Sequence, residues 1–227
     1  MQTRTMLAAT VAAGMIQAGL PAAAISLSSV DTFDSDNEGW RVGNAGIDPT
    51  FESGNSFDGQ PGFLRHFSDA AGSNGRFIMW TQQSDWTGDY LAAGVDEITL
   101  WADAISGNDV PFWLAFDGPG GWFHAPGQSL VTDDGWVRYS FDISADNLIY
   151  VAASGGSGNA TDTLSDVGRF EIFAGPPPIQ FAGRGDLLRV DRTTNVVWFD
   201  NIAAVPEPAA AAMLSLGGLA LLRRRSA

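Results

Sequence analysis

Apolar and polar residues alternate with a period of two in many short runs, and this pattern narrows the fold more than any other feature. In 95–104, Ile98, Leu100 and Ala102 point one way while Glu97, Thr99, Trp101 and Asp103 point the other. In 110–117, Phe112, Leu114 and Phe116 oppose Trp113, Ala115 and Asp117. In 136–143, Val137, Tyr139, Phe141 and Ile143 oppose Trp136, Arg138, Ser140 and Asp142. In 169–174, Phe170 and Ile172 oppose Arg169, Glu171 and Phe173. An extended backbone sends successive side chains to opposite faces, so each run reads as a strand with one face in a core. The same reading gives candidate strands at 29–34, 39–43, 62–67, 76–82, 121–125, 147–153 and 195–203. Gly, Asp, Asn and Pro punctuate them. Short helices or turns are expected near 84–92 and 164–167. The stretch 154–162 is expected to be a flexible loop, and 175–194, with three consecutive prolines, an excursion between the last two strands. The implied class is all-β, a β-sandwich of two antiparallel sheets.

The two ends differ from this middle. Arg4, the apolar Met6–Leu20 and the small residues Ala22, Ala23 and Ala24 form the n-region, h-region and cleavage site of a secretory signal over 1–24. Gly14, Gly19 and Pro21 disfavour a buried helix there. Residues 205–227 hold Pro206, Glu207 and Pro208, then the uncharged Ala209–Leu222, then Arg223, Arg224 and Arg225. As a helix that apolar stretch would span about 21 Å, short of a hydrocarbon core of about 30 Å. The terminal arginines place this end in the cytoplasm by the positive-inside rule. The order of these three parts resembles the PEP-CTERM sorting signal. The resemblance implies processing by an exosortase, transient anchoring in the inner membrane, and a final place on the cell surface or in the extracellular matrix. An uncleaved C-terminal anchor is the plainer alternative.

The domain between them, 25–204, has a second resemblance. Phe33-Asp34 with Glu38-Gly39-Trp40, Pro61-Gly62-Phe63-Leu64, Trp86-Thr87-Gly88-Asp89-Tyr90, Gly135-Trp136-Val137-Arg138-Tyr139, Leu164-Ser165-Asp166-Val167 and Trp198-Phe199-Asp200-Asn201-Ile202 occur in that order. They resemble the laminin IV (laminin B) and wider galactose-binding-like jelly rolls. The whole chain then reads as a jelly-roll β-sandwich flanked by an N-terminal signal helix and a short C-terminal hydrophobic helix. The resemblance implies close domain termini and a structural calcium held by Asp34 and Asp200. Calcium takes six to eight oxygens, which carboxylates and loop carbonyls supply. The alternative is that both acids bond nearby backbone amides.

Function is bounded mainly by exclusion. The domain carries 25 acids against 8 arginines, a net charge of −17, which repels nucleic acid. With no Cys and only His66 and His124, thiol chemistry and His-rich metal sites are set aside. No nucleophile, zinc-protease or phosphate-loop motif is present, so a non-enzymatic module is expected. If the outward rows share one sheet, Trp101, Trp113, Arg138, Glu171 and Asp103 form a groove for extracellular polysaccharide, with indoles under pyranose rings and charged groups on hydroxyls. The alternative is packing beneath 175–194, with Arg138 pairing Glu171. Trp122, on the Gly-rich turn 118–124, is a further ligand candidate, or it folds back on the sandwich; Trp86 is open to the same choice. A structural surface protein with no sugar site is the competing function, and a polysaccharide-active enzyme is the least supported.

Overall fold

The computed structural model describes residues 25–42, 49–53, 62–68, 77–106, 110–130, 135–151, 155–174 and 195–206. The expected signal over 1–24, the expected tail from Glu207 onward and the expected excursion over 175–194 lie outside the described residues. Thirteen strands are described: β1 (Val30–Asp31), β2 (Arg41–Val42), β3 (Thr50–Glu52), β4 (Phe63–Ser68), β5 (Phe77–Thr81), β6 (Val95–Ser106), β7 (Val110–Gly118), β8 (Gly121–His124), β9 (Gln128–Leu130), β10 (Val137–Asp142), β11 (Ile149–Tyr150), β12 (Arg169–Ala174) and β13 (Asn195–Pro206). Two short helices accompany them, α1 (Tyr90–Ala93) and α2 (Ala160–Leu164).

The strands form two antiparallel sheets. The first runs β10-β6-β13-β4-β3, with β1 also on β13; the second runs β11-β8-β7-β12-β5-β2, with β9 also on β7. Both inward rows close on one core. Ile98, Leu100, Leu64 and Phe199 from the first sheet meet Phe112, Leu114, Phe116, Phe170 and Ile172 from the second, each fully buried. The alternation read from the sequence is therefore the sandwich interior, and apolar burial drives its closure. His66 is the unusual member, 2% exposed with its ring 4.3 Å from Phe77. Burial lowers its pKa to about 4, against a hydrogen bond with Ile78 backbone that favours the charged form. The domain ends meet as expected, Val30 opposite Ala203 and Asp31 opposite Ile202.

The expected strands are all present, several of them shorter. Two were not anticipated, β3 and β9, each three residues long. The second helix begins at Ala160, inside the stretch expected to be a loop, because Asn159 caps it by accepting from Thr161 N at 3.0 Å. Asp89 caps α1, accepting from Ala92 N at 2.8 Å. No described helix is long and apolar enough to cross a membrane.

Candidate functional site

The strand registers divide the expected groove between two surfaces. Trp101 lies on β6 between Arg138 of β10 and Asp200 of β13, all in the first sheet. Trp113 and Glu171 lie on β7 and β12 of the second sheet, with Trp122 on the neighbouring β8. The expectation that Trp101, Trp113, Arg138 and Glu171 share one face is thus corrected. Alternation fixes which side of a strand a residue takes, but not the sheet the strand joins. The pairing of Arg138 with Glu171 falls for the same reason; Glu171 pairs with Arg169 instead, Oε1 to Nη2 at 2.5 Å.

The outer face of the second sheet is the richer surface. Across the ladder, Arg41 stands opposite Trp80, Trp80 opposite Glu171, Glu171 opposite Ala115 and Ala115 opposite His124. One row on, Arg169 is opposite Asp117 and Asp117 opposite Trp122. On the other side, Ile78 is opposite Phe173 and Phe173 opposite Trp113. Ile78, Ala115, Trp122, Val151 and Phe173 form a second buried apolar cluster, separate from the main core, against which Trp80 and Trp113 pack while partly exposed. Trp113 stacks on Phe173 at 6.4 Å and 8°, and meets His124 edge-on at 5.1 Å. Gly127 closes over this indole, since a Cβ there would lie 2.7 Å from Trp113 Cε3. Trp122 is 3% exposed and folds back onto the sheet, and Trp86 is wholly in the core.

Arg169 organises this face. Its Cζ lies 4.0 Å from the Trp80 ring centroid and 6.0 Å from that of Trp122, a cation held between two indoles. Glu171 is fully buried, and burial raises its pKa to about 7 although the Arg169 charge pulls the other way. Its Oε2 has no hydrogen-bond partner. Burial also raises the Asp117 pKa and lowers those of Arg169 and His124. The aromatic and ionic groups on this face therefore brace one another. In the sequence Arg169 carried no signal as a site residue beyond its place in an outward row, and Trp80 none beyond its place in the candidate strand 76–82.

Beside Trp80 the face opens into a groove of about 370 Å³, lined by Gly39, Arg41, Trp80, Gln82 and Gln83. One partly exposed indole, one exposed guanidinium and two exposed amides converge there. The wall formed by 39–41 is pinned from beneath. Asp31, 2% exposed, accepts from Trp40 Nε1 at 2.5 Å and from Trp86 Nε1 at 2.6 Å on the same oxygen. Burial raises the Asp31 pKa to about 6, with the indole donors opposing the rise. Glu38, hydrogen-bonded to Asp31, is raised to about 8, first by burial and then by the Asp31 charge. At neutral pH the two carboxyls thus share a proton, and the chain between β1 and β2 is held closed.

The proposed metal ligands each have local partners. Asp34 is exposed and accepts from the Thr32 hydroxyl at 3.0 Å. Asp200 is buried, and its Oδ1 accepts from Asn201 N at 2.7 Å and Asn201 Nδ2 at 3.0 Å. Asn201, at φ 46°, sits at the irregularity between Asp200 and Ala203. Among the described residues, no group of three or more His, Asp or Glu is placed to hold a metal ion.

No protein-family model matches the chain, and no curated protein matches it. Solved structures similar to it include a CBM22-1 xylan-binding domain from Paenibacillus barcinonensis, 15% identical, with a TM-score of 0.44, covering 78% of this chain and 94% of that one. Another is a family 11 carbohydrate-binding module from Clostridium thermocellum in complex with a β-1,3-1,4-mixed-linked tetrasaccharide, 12% identical, TM-score 0.44, covering 80% and 91%. A third is a surface glycan-binding protein from Prevotella bryantii, 15% identical, TM-score 0.44, covering 82% and 56%.

Proposed function

We propose that this is an exported surface protein whose β-sandwich binds extracellular polysaccharide without catalysis, on the outer face of the second sheet. The observation that supports this most directly is the groove at Trp80, where an indole with Arg41, Gln82 and Gln83 offers an apolar platform ringed by hydrogen-bonding groups. A pyranose presents matching chemistry, with C–H groups on one face and hydroxyls at its rim. Both amides donate and accept, as hydroxyls require. Catalysis is disfavoured because the carboxyl with the most suitable pKa on this face, Glu171, is fully buried. A general acid must reach the proton it transfers.

The test is calorimetric titration with soluble xylan, mixed-linked β-glucan and the host exopolysaccharide. Saturable heat that Trp80→Ala removes supports the site, whereas saturable heat unchanged by Trp80→Ala and Arg41→Ala together overturns it. The competing reading, a structural protein that associates through its sandwich, draws support from Ile149 and Tyr150, 48% and 37% exposed on the terminal strand β11. Concentration-dependent sedimentation with no glycan heat would favour it.

Two further parts belong to the proposal. The ladder of β1 with β13 leads the chain after Asp31 toward Asp200, which supports a calcium between Asp34 and Asp200, with backbone carbonyls supplying most of its oxygens. Titration with calcium alone, repeated on Asp34→Asn, checks it. The segments 1–24 and 205–227 supply export and exosortase-dependent sorting. Mass spectrometry of the mature chain from the cell surface would show termini near Ala24 and Pro206.

A further inference from the structure

The separation of Trp101 and Arg138 from the first groove leaves them on a second aromatic surface, the outer face of the six-stranded sheet. Trp198 of β13 lies 4.5 Å from the Phe63 ring of β4, and Trp136, just before β10, lies 6.1 Å from Phe63 and 6.2 Å from Trp198. Phe63 is buried beneath the two indoles at 3% exposure, while both indoles and Trp101 are partly exposed. The ladder sets Arg65 and Asp103 on either side of Trp198, and Arg138 and Asp200 on either side of Trp101. Arg65 pairs with Glu52 at 3.2 Å, and the Ser140 hydroxyl donates to Glu97 at 2.5 Å. Asp103 and Asp200 are themselves buried, so the charged groups that the face presents around the rings are Arg65 with Glu52, Arg138, and Glu97 with the Ser140 hydroxyl.

That mixture selects the occupant. A protein interface depletes charge from its centre, and nucleic acid calls for an excess of cations. Flat rings alternating with groups of both signs suit a neutral polyhydroxylated chain, with ring C–H groups on indole and hydroxyls on Arg138, Arg65 and Glu97. We infer that this face is a second glycan-binding surface, back to back with the first, so that one molecule bridges two polysaccharide strands. The inference takes its ligand class from the reading above but stands on different residues. Packed sheets lie about 10 Å apart and their outer rows point away from each other, so one short oligosaccharide cannot span both faces. Two strands can be tied only from opposite sides, which makes the protein a cross-linker of matrix rather than an avid binder of one chain.

Stoichiometry and cross-linking test this together. The intact protein is titrated with short xylan and mixed-linked β-glucan oligosaccharides, and mixed with the parent polymers while light scattering is followed. Two sites per molecule are expected, with one remaining in Trp136→Ala and one in Trp80→Ala. Either substitution is expected to abolish the rise in scattering while binding persists. Trp136→Phe is expected to restore the second site, which separates loss of a ring from loss of fold. One site in the parent protein that Trp136→Ala leaves unchanged overturns the inference and spares the first groove. One site lost in Trp136→Ala but kept in Trp80→Ala upholds this face as a glycan site, refutes bridging and overturns the first groove. A change from dimer to monomer in Trp136→Ala with unchanged glycan heat makes the face a contact between copies and overturns the inference. Absence of heat with every glycan overturns both.

Discussion

Trp86→Phe probes how the wall of the Trp80 groove is held. Trp86 is wholly buried, stacks on Phe170 at 5.2 Å, and donates to Asp31 at 2.6 Å. Phenylalanine keeps a ring against Phe170 but removes the donor and several ring atoms. A hydrogen bond to a charged acceptor contributes about 1.5–3 kcal/mol, and the void adds about 1 kcal/mol. The expected loss is about 2.5–4 kcal/mol, which for a domain of this size lowers the Tm by roughly 10 °C. The acceptor is a carboxyl with a pKa of about 6, so its charge, and with it the strength of the bond, depends on pH. The cost should therefore be larger at pH 7.5, where Asp31 is ionised, than at pH 5. Urea unfolding of the parent, Trp86→Phe, Asp31→Asn and the double variant gives the coupling, expected at about 1–2 kcal/mol. Zero coupling, or a cost independent of pH, would refute the argument and assign the whole effect to packing.

Stability between pH 6.5 and 8 should fall as pH rises. Glu38 and Glu171, raised to about 8 and about 7, hold protons in the fold that the unfolded chain has released. Glu38→Gln should flatten that slope in thermal melts. From pH 6.5 to about 4.5 the raised carboxyls go on adding stability as pH falls, while the buried neutral His66, lowered to about 4, subtracts from it. His66→Gln should therefore make the change in stability from about pH 6.5 to 4 more favourable than in the parent. Arg169→Met should cost about 3–5 kcal/mol only where Glu171 is ionised, above its pKa of about 7, and less at about pH 6, where the carboxyl is protonated. Glu171→Gln leaves Arg169 opposite Asp117 and should cost less than Arg169→Met at alkaline pH; denaturant midpoints of the two variants at both pH values check the order. Gly39→Ala meets a backbone φ of 78° and the Gln83 side chain, so it should cost about 1 kcal/mol and weaken glycan binding measured by calorimetry.

The sequence by itself determined the class of fold and the inward rows. Ile98 with Leu100, Phe112 with Phe116, and Phe170 with Ile172 could be assigned to the core because period-two alternation is a property of the extended backbone alone. It also set the limits on chemistry, through the charge and the absence of Cys. The tertiary structure decided which outward residues are neighbours. Trp101 and Trp113 belong to similar rows in consecutive strands, yet β6 joins β10 and β13 while β7 joins β8 and β12, so they end on opposite outer faces. It also turned Glu171 from an expected ligand group into a buried partner of Arg169, and raised Trp80 from one aromatic among many to the border of the groove. Alternation is local and survives without partners, whereas strand pairing depends on contacts between residues far apart in the chain.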